Sequence, residues 1–237
     1  MQSSAFLVAV FEFVLLLFSL SVHECAHAWM ASRLGDQTAR MVGRVSLNPM
    51  VHVDPIGTLL FPALMIFGPF FGFSFFGGML VGWAKPTPVN TRNFRKIVRD
   101  DNLVTLAGPV SNLLLVLVAF TVLAVISIAV PNGHDLVMAT FGGGLAEGVP
   151  SGLQAGILLA ILAIEINLSL CIFNLLPTPP LDGSHIVRNM LPYNAVQSYD
   201  RIGGWVSYLL MIFVGRYVMM AFLGPALRLV YFALNHV

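Results

Sequence analysis

The residues with the clearest chemical potential are His23, Glu24 and His27, which form the pattern His-Glu-x-x-His. On a helix, histidines four residues apart lie on one face, where both imidazoles can bind one zinc ion. The intervening Glu24 can then act as a general base on a water that the zinc activates. The eighteen residues before the motif, 5–22, are almost wholly apolar with one charge, Glu12, and are long enough to span a membrane. The sequence therefore predicts metal chemistry at membrane depth.

The composition indicates a membrane protein. Of 237 residues, 57% are hydrophobic and only 10% are charged, whereas soluble domains have about 25% charged residues. The chain can hold about five or six membrane segments, since each needs about 20 residues. A net charge of +1 gives no indication of nucleic acid, and we expect none as a partner. The expected partners are the lipid bilayer and a transmembrane protein or peptide substrate, and the oligomeric state stays open.

The distribution of basic residues predicts the orientation in the membrane. Lys and Arg cluster in residues 33–44 and 85–99 and at Arg188 and Arg201, and none lies between Arg99 and Arg188. By the positive-inside rule all three clusters are cytoplasmic. We therefore expect a multi-pass protein of the cell membrane with its N-terminus outside the cytoplasm.

Residues 55–83 are apolar but lie between two basic clusters. This segment should therefore enter the membrane and leave it again on the same face. Their 29 residues are too few for two crossings, which need about 40 residues. Six glycines and three prolines argue against a continuous helix. The sequence predicts a re-entrant hairpin, with short strands at 38–45 and 80–90 on either side.

The predicted fold is an all-α polytopic membrane protein of about five to six membrane segments, including the re-entrant hairpin and small membrane-associated strands. We expect one domain, 1–237, made of the following segments. They are a zinc-binding helix at 5–32, the β-flanked segment 38–90, spanning helices at 102–130 and 152–176, a third-ligand segment at 174–185, and one or two C-terminal helices at 203–235.

Two histidines do not complete a hydrolytic zinc site, which usually has three protein ligands. The leading candidate for the third is Asp182, which follows a proline-rich break just past the cytoplasmic end of helix 152–176. His23 lies ten residues before Arg33, roughly 15 Å from the same interface at 1.5 Å per residue. The site should thus lie in the cytoplasmic half of the bilayer. The competing third ligands are His52, His185 and Asp54.

Several motifs together resemble the site-2 protease family of intramembrane zinc metalloproteases. They are HECAH at 23–27 and NLLPTPPLDG at 174–183, with GRVSLNPMVHVDPIGT at 43–58 and GWAKPTPVN at 82–90 between them. The resemblance implies one Zn²⁺ per chain, held by His23, His27 and Asp182, with Glu24 as the base. It also implies that Asn174 faces the site and stabilises the oxyanion. We expect a compact form without the PDZ or CBS domains that many members carry.

The predicted function is therefore that of a zinc endopeptidase acting in regulated intramembrane proteolysis. It would cleave within the transmembrane helices of membrane-tethered regulators or signal-peptide remnants, as the resemblance implies. One alternative is a membrane metal-ion or proton transporter, in which the histidine pair and Glu165 would line the path. Another is a structural membrane protein, in which His23 and His27 would simply be buried helix residues.

Overall fold

A computed structural model describes residues 2–72, 84–143, 151–201 and 205–237. Within these ranges the chain is helical and contains no strand. Their α-helices are, in chain order, α1 (Gln2–Leu34), α2 (Thr38–Met41), α3 (Phe61–Phe67), α4 (Ile97–Ala129), α5 (Gly133–Phe141), α6 (Ser151–Asn174), α7 (Asp182–Met190), α8 (Tyr193–Arg201) and α9 (Trp205–Leu234).

Four helical stretches are long and apolar enough to cross a membrane. They are Ala5–Leu34, Ile97–Ala129, Gly152–Asn174 and Tyr217–Leu234. The prediction of an all-helical polytopic membrane protein is thereby confirmed, and a total of five or six segments stays a prediction. The C-terminal stretch, for which the sequence allowed one helix or two, forms the single helix α9 with Pro225 inside it.

Helix α4 lies at the centre and packs along both α1 and α6, while α9 packs against α6. A fully buried apolar core joins α4, α5, α6 and α9 through Leu123, Val137, Ile157 and Leu234. Burial of this apolar surface holds one end of the bundle together. At the other end of α4 a smaller cluster of Ala31, Phe94 and Val104 joins the end of α1 to the start of α4. Helices α1 and α4 are therefore antiparallel neighbours.

The strand predicted at 38–45 is wrong, since residues 38–41 form the short helix α2. Its first turn is set by Asp36, whose side chain accepts hydrogen bonds from the main chain and the hydroxyl of Thr38. The strand predicted at 80–90 is wrong over 84–90, which have no regular structure, while 80–83 lie outside the described residues. Pro86 and Pro88 have no N–H to give to a sheet, which accounts for this failure.

The first arm of the predicted hairpin is one apolar helical run, Pro55–Phe71. It begins as a π-helical turn, continues as α3 and ends in a 3₁₀ turn at Gly72, whose φ is +81°. Its start is capped by Asp54, which accepts from the N–H groups of Ile56 and Gly57. Residues 73–83 lie outside the described residues, so the returning arm stays a prediction.

Asp36 connects the end of α1 to the segment that leads into α4. Besides Thr38, the fully buried carboxylate accepts from the N–H of Asn90 at 2.7 Å and from the side-chain amide of Asn93 at 2.8 Å. Burial by itself raises the pKa of Asp36, but the hydrogen bonds from Thr38, Asn90 and Asn93 outweigh it and hold the pKa below its ordinary value. The ionised carboxylate thus stabilises the junction between the two helices.

We predict that Asp36→Asn lowers the free energy of unfolding by about 1–3 kcal/mol at neutral pH, since an amide cannot accept from all of these donors. A depressed pKa contributes stability that is present above the unfolded pKa, about 4 for aspartate, and is lost as pH falls through the folded value. The difference between wild type and variant should therefore narrow below about pH 4. Thermal unfolding in detergent at neutral and acid pH measures this difference in stability. Asp135→Asn, the same change at an exposed site, is the control, and an equal loss there would contradict the role of Asp36.

Candidate metal centre

The structure brings His23 and His27 of α1 together with Asp182, the first residue of α7. The two Nε2 atoms are 3.0 Å apart, and Asp182 Oδ2 lies 3.1 Å from His23 Nε2 and 3.4 Å from His27 Nε2. Both imidazoles are buried and Asp182 is largely so. Within the described part of the chain, no other group of three or more His, Cys, Asp or Glu side chains could hold a metal ion.

Hydrogen bonds behind the two rings decide which nitrogen faces the centre. His27 Nδ1 lies 2.7 Å from the main-chain oxygen of Val104. A carbonyl oxygen can only accept, so Nδ1 carries a hydrogen, and in the neutral imidazole Nε2 then keeps its lone pair. His23 Nδ1 lies 2.6 Å from Oδ1 of Asn112, with the same consequence. Both Nε2 lone pairs therefore point towards Asp182.

When both imidazoles are neutral, three atoms with lone pairs thus converge. Asp182 Oδ2 is buried and has no hydrogen-bond partner, although such atoms are rarely left unpaired. Acceptors at these separations repel each other unless a proton or a metal cation lies between them. Two imidazole nitrogens and one carboxylate oxygen form a donor set that zinc uses in catalytic sites, so the residues present fit this ion.

The other three candidates for a third ligand have different roles. His52 is buried and its Nε2 contacts the main-chain oxygen of Ser46 at 2.8 Å. Asp54 caps the helical run that starts at Pro55. His185 is exposed on α7. The structure places only Asp182 of the four against the two imidazoles.

Asp182 reaches the centre because the chain folds back tightly after α6. At Gly183, a Cβ atom would lie less than 3.0 Å from the main-chain oxygens of Leu175 and Leu176, so only glycine fits. Downstream, the Tyr199 hydroxyl donates to the Pro177 oxygen at 2.9 Å and ties the turn to α8. The close approach lets α7 begin beside the end of α6, with Asp182 directed at α1.

Gly108 brings the backbone of α4 directly against the imidazoles. A Cβ there would lie less than 3.0 Å from both His23 and His27, a separation that real Cβ atoms essentially never show. From the sequence, Gly108 is one of several small residues at a close helix contact. It lies midway between Val104 and Asn112, and a spacing of four puts all three on one face of α4. This face supports both rings.

Glu24 is half-buried beside the centre and is held by a residue that the sequence analysis missed. The hydroxyl of Thr87 donates to Glu24 Oε2 at 2.7 Å. Thr87 belongs to the segment 84–90, and a hydroxyl between two prolines was its only signal in the sequence. Asn112 was also missed, although an amide in an apolar helix usually faces a bundle interior.

Asn174 is the last residue of α6 and its side chain bonds to its own helix. Its Nδ2 donates to the main-chain oxygen of Leu170 at 3.0 Å, which uses one of the two amide hydrogens. The second hydrogen is the one that could serve an oxyanion. Its role there stays a prediction.

Comparisons with known proteins place the chain in a family. The model of peptidase family M50 matches residues 11–214. The chain belongs to this family, that of the site-2 proteases. It is 35% identical over 210 residues to “Putative zinc metalloprotease YwhC” of Bacillus subtilis (strain 168), covering 87% of this chain and 82% of the relative. It is 31% identical over 168 residues to “Putative zinc metalloprotease Rip2” of Mycolicibacterium smegmatis (strain ATCC 700084 / mc(2)155), covering 70% of this chain and 52% of the relative. No solved structure matches.

Family membership confirms the predicted class. The protein is a zinc metalloendopeptidase of the site-2 protease type, and its cofactor is Zn²⁺. Its apolar helices make it a multi-pass membrane protein. A peptidase family gives no support to the alternatives of a transporter or of a purely structural protein.

We predict that Gly108→Ala weakens zinc binding about tenfold to a hundredfold, since overpacking a close contact costs about 1–3 kcal/mol. The added methyl group would push on both imidazoles at once. Gly156→Ala is the matched control, because a Cβ at this other helical glycine meets nothing within 4 Å. Zinc content after dialysis against graded chelator measures both variants. Equal zinc retention in the two would contradict the role of Gly108.

Proposed function

We propose that the protein is an intramembrane zinc endopeptidase that acts in regulated intramembrane proteolysis. It hydrolyses peptide bonds within the transmembrane helices of membrane-tethered regulators or signal-peptide remnants, and residues 1–237 act as one metalloprotease domain. His23, His27 and Asp182 hold one zinc, Glu24 is the general base and Asn174 supports the oxyanion. The observation that carries the proposal is the convergence of His23 and His27, on a helix that can span a membrane, with the largely buried Asp182 at the start of α7.

When bound, zinc supplies a Lewis acid that polarises the scissile carbonyl and lowers the pKa of water to about 7. Glu24 takes the proton of the attacking water and later gives it to the leaving amine. Thr87 holds Oε2 of the carboxylate, which leaves Oε1 as the atom that meets the water. The free amide hydrogen of Asn174 donates to the developing oxyanion, an interaction of about 3–4 kcal/mol in known oxyanion holes.

The site lies in the cytoplasmic half of the bilayer in this proposal, with the N-terminus on the opposite side. Basic residues from two separate parts of the chain support that orientation. Arg33 at the end of α1 lines one cavity of about 400 Å³ together with Arg95, Lys96 and Arg99 before and within α4. Clustered cations at one end of a helix bundle mark the cytoplasmic side.

The location in the membrane also limits the substrate. An intact helix has its carbonyls in hydrogen bonds, so a substrate helix must unwind locally before attack. Unwinding in lipid exposes unpaired main-chain groups at a high cost. Preferred substrates therefore have residues of weak helix propensity, such as Gly, Pro or Asn, near the scissile bond.

Glu24→Gln should abolish cleavage and leave zinc bound, because the ligands remain and only the base is lost. Zinc content by mass spectrometry and cleavage of a fluorogenic transmembrane substrate are measured on the same preparation. Glu12→Gln is the matched control, since it makes the same change twelve residues earlier in α1 and should keep both properties. Cleavage by Glu24→Gln at more than a few per cent of the wild-type rate would refute the assignment of Glu24.

The same two measurements separate the other roles. His23→Ala, His27→Ala and Asp182→Asn should lose both zinc and cleavage. His185→Ala, at an exposed histidine, should lose neither. Asn174→Ala should keep zinc while turnover falls by roughly 10²-fold, as expected for an oxyanion donor. Loss of zinc or of folding in that variant would instead indicate that its bond to Leu170 is its main role.

We predict that the basic end of the bundle is cytoplasmic and that cleavage falls in the inner half of the substrate helix. In a variant without Cys25 and Cys171 that still cleaves, a cysteine at Lys96 should react with a membrane-impermeant reagent only after the cytoplasmic face is opened. A cysteine at Asn132 should react in intact cells. Mass spectrometry of the products locates the cut. A cut in the outer half, or reversed labelling, would contradict the proposed orientation.

A further inference from the structure

Behind His23, on the side away from Asp182, polar side chains from three helices form a chain of hydrogen bonds. Asn112 of α4 contacts the ring, Asn167 of α6 contacts Asn112, and Ser19 of α1 contacts Asn167. Asn112 is 0% exposed, and Ser19 and Asn167 are 1% exposed. Amides at this depth are costly unless their polar atoms are paired, so their presence calls for a reason beyond packing.

The end of this series of hydrogen bonds that is farthest from His23 decides which atoms donate and which accept. The main-chain oxygen of Ala163 can only accept, and Asn167 Nδ2 donates to it at 2.8 Å. The second hydrogen of Nδ2 goes to the Ser19 hydroxyl oxygen, 3.0 Å away. Asn167 therefore presents Oδ1 to Asn112, whose Nδ2 donates to it at 2.8 Å. Asn112 is left with Oδ1 towards His23 Nδ1, 2.6 Å away, so this nitrogen has to donate.

We propose that Asn112, oriented by Asn167, is a positioning residue that holds His23 in the Nδ1-protonated tautomer and directs its Nε2 lone pair at the zinc. This inference rests on the proposed function, in which His23 is a ligand. Histidines that bind metals almost always donate their other ring N–H to an acceptor, which fixes tautomer and ring orientation. Here that acceptor is an amide oxygen whose own orientation is decided by a third helix.

The two histidines reach the same tautomer by different means. His27 donates to the main-chain oxygen of Val104, which no substitution removes. The tautomer of His23 is instead fixed by side chains alone, those of Asn112 and Asn167. Mutation of Asn112 can therefore disturb one zinc ligand while the other keeps its support.

The test compares Asn112→Leu with Asn112→Asp in the zinc-loaded full chain, with zinc affinity measured by chelator competition. Leucine fills a similar volume but cannot accept, so zinc should bind about tenfold to a hundredfold more weakly, as is typical when such a partner is lost. Aspartate keeps an acceptor for His23 Nδ1 and should recover most of that affinity. Ser111→Ala changes the adjacent residue of α4 and removes its hydrogen bond to the Gly108 oxygen, which is not part of the series from His23 to Ser19. This variant should change zinc affinity little.

Wild-type affinity in Asn112→Leu, or an equal loss in the leucine and aspartate variants, would overturn the inference. A measurement on the wild type covers the case in which the leucine variant fails to fold. With ¹⁵N-labelled histidines in the zinc-loaded protein, the ring N–H protons of His23 and His27 should exchange slowly with water and that of the exposed His185 quickly. Fast exchange at His23 beside slow exchange at His27 would also overturn it.

The outcomes distinguish this inference from the proposed function on which it rests. If His23→Ala loses zinc while Asn112→Leu binds it normally, only the role of Asn112 fails. If His23→Ala retains zinc, the ligand assignment itself fails, and the role of Asn112 fails with it.

Discussion

Two imidazole nitrogens and one carboxylate oxygen lie 3.0–3.4 Å apart in the interior of a helix bundle, and the hydrogen bonds behind both rings direct the Nε2 lone pairs of the neutral imidazoles at the carboxylate. Lone pairs held this close in a medium of low dielectric repel strongly. A divalent cation placed between the three atoms attracts all of them and makes the net interaction favourable. The fold therefore has to hold these three groups in place against their repulsion, and most of the structure around His23, His27 and Asp182 contributes to this.

Helix α4 supplies most of this support through one regularly spaced face. Val104, Gly108 and Asn112 are four residues apart, and so are Ser19, His23 and His27 on the antiparallel α1. Val104 therefore meets His27, Asn112 meets His23, and Gly108 between them admits both rings. The third donor comes from the turn after α6, where Gly183 allows Asp182 to approach. The positions of the two imidazoles on one helix thus depend on the register of another.

This dependence on register explains what could be predicted from the sequence. His23, Glu24 and His27 are recognisable because their spacing within one helix suffices, and Asp182 because it follows a proline-rich break at the right depth. The roles of Asn112, Gly108 and Thr87 depend on which residue of one element faces which residue of another. A single sequence does not contain that information. The strands expected at 38–45 and over the described residues 84–90 are absent for a related reason. Their composition suits strands, but Asp36 and two prolines take up or remove the N–H groups that a sheet would need.

The same contacts couple zinc binding to the packing of the bundle. Asn112 and Asn167 join α4 to α6, Ser19 joins both to α1, and His23 lies at the end of that chain. A ligand that binds only the folded arrangement stabilises it by an amount that grows with the ratio of its concentration to its dissociation constant. Zinc would remove the repulsion among three donors that belong to α1 and to the start of α7, so its binding energy would also hold these elements together. Polar contacts at membrane depth, usually a cost to a helix bundle, would in this way contribute both to the metal centre and to the association of its helices.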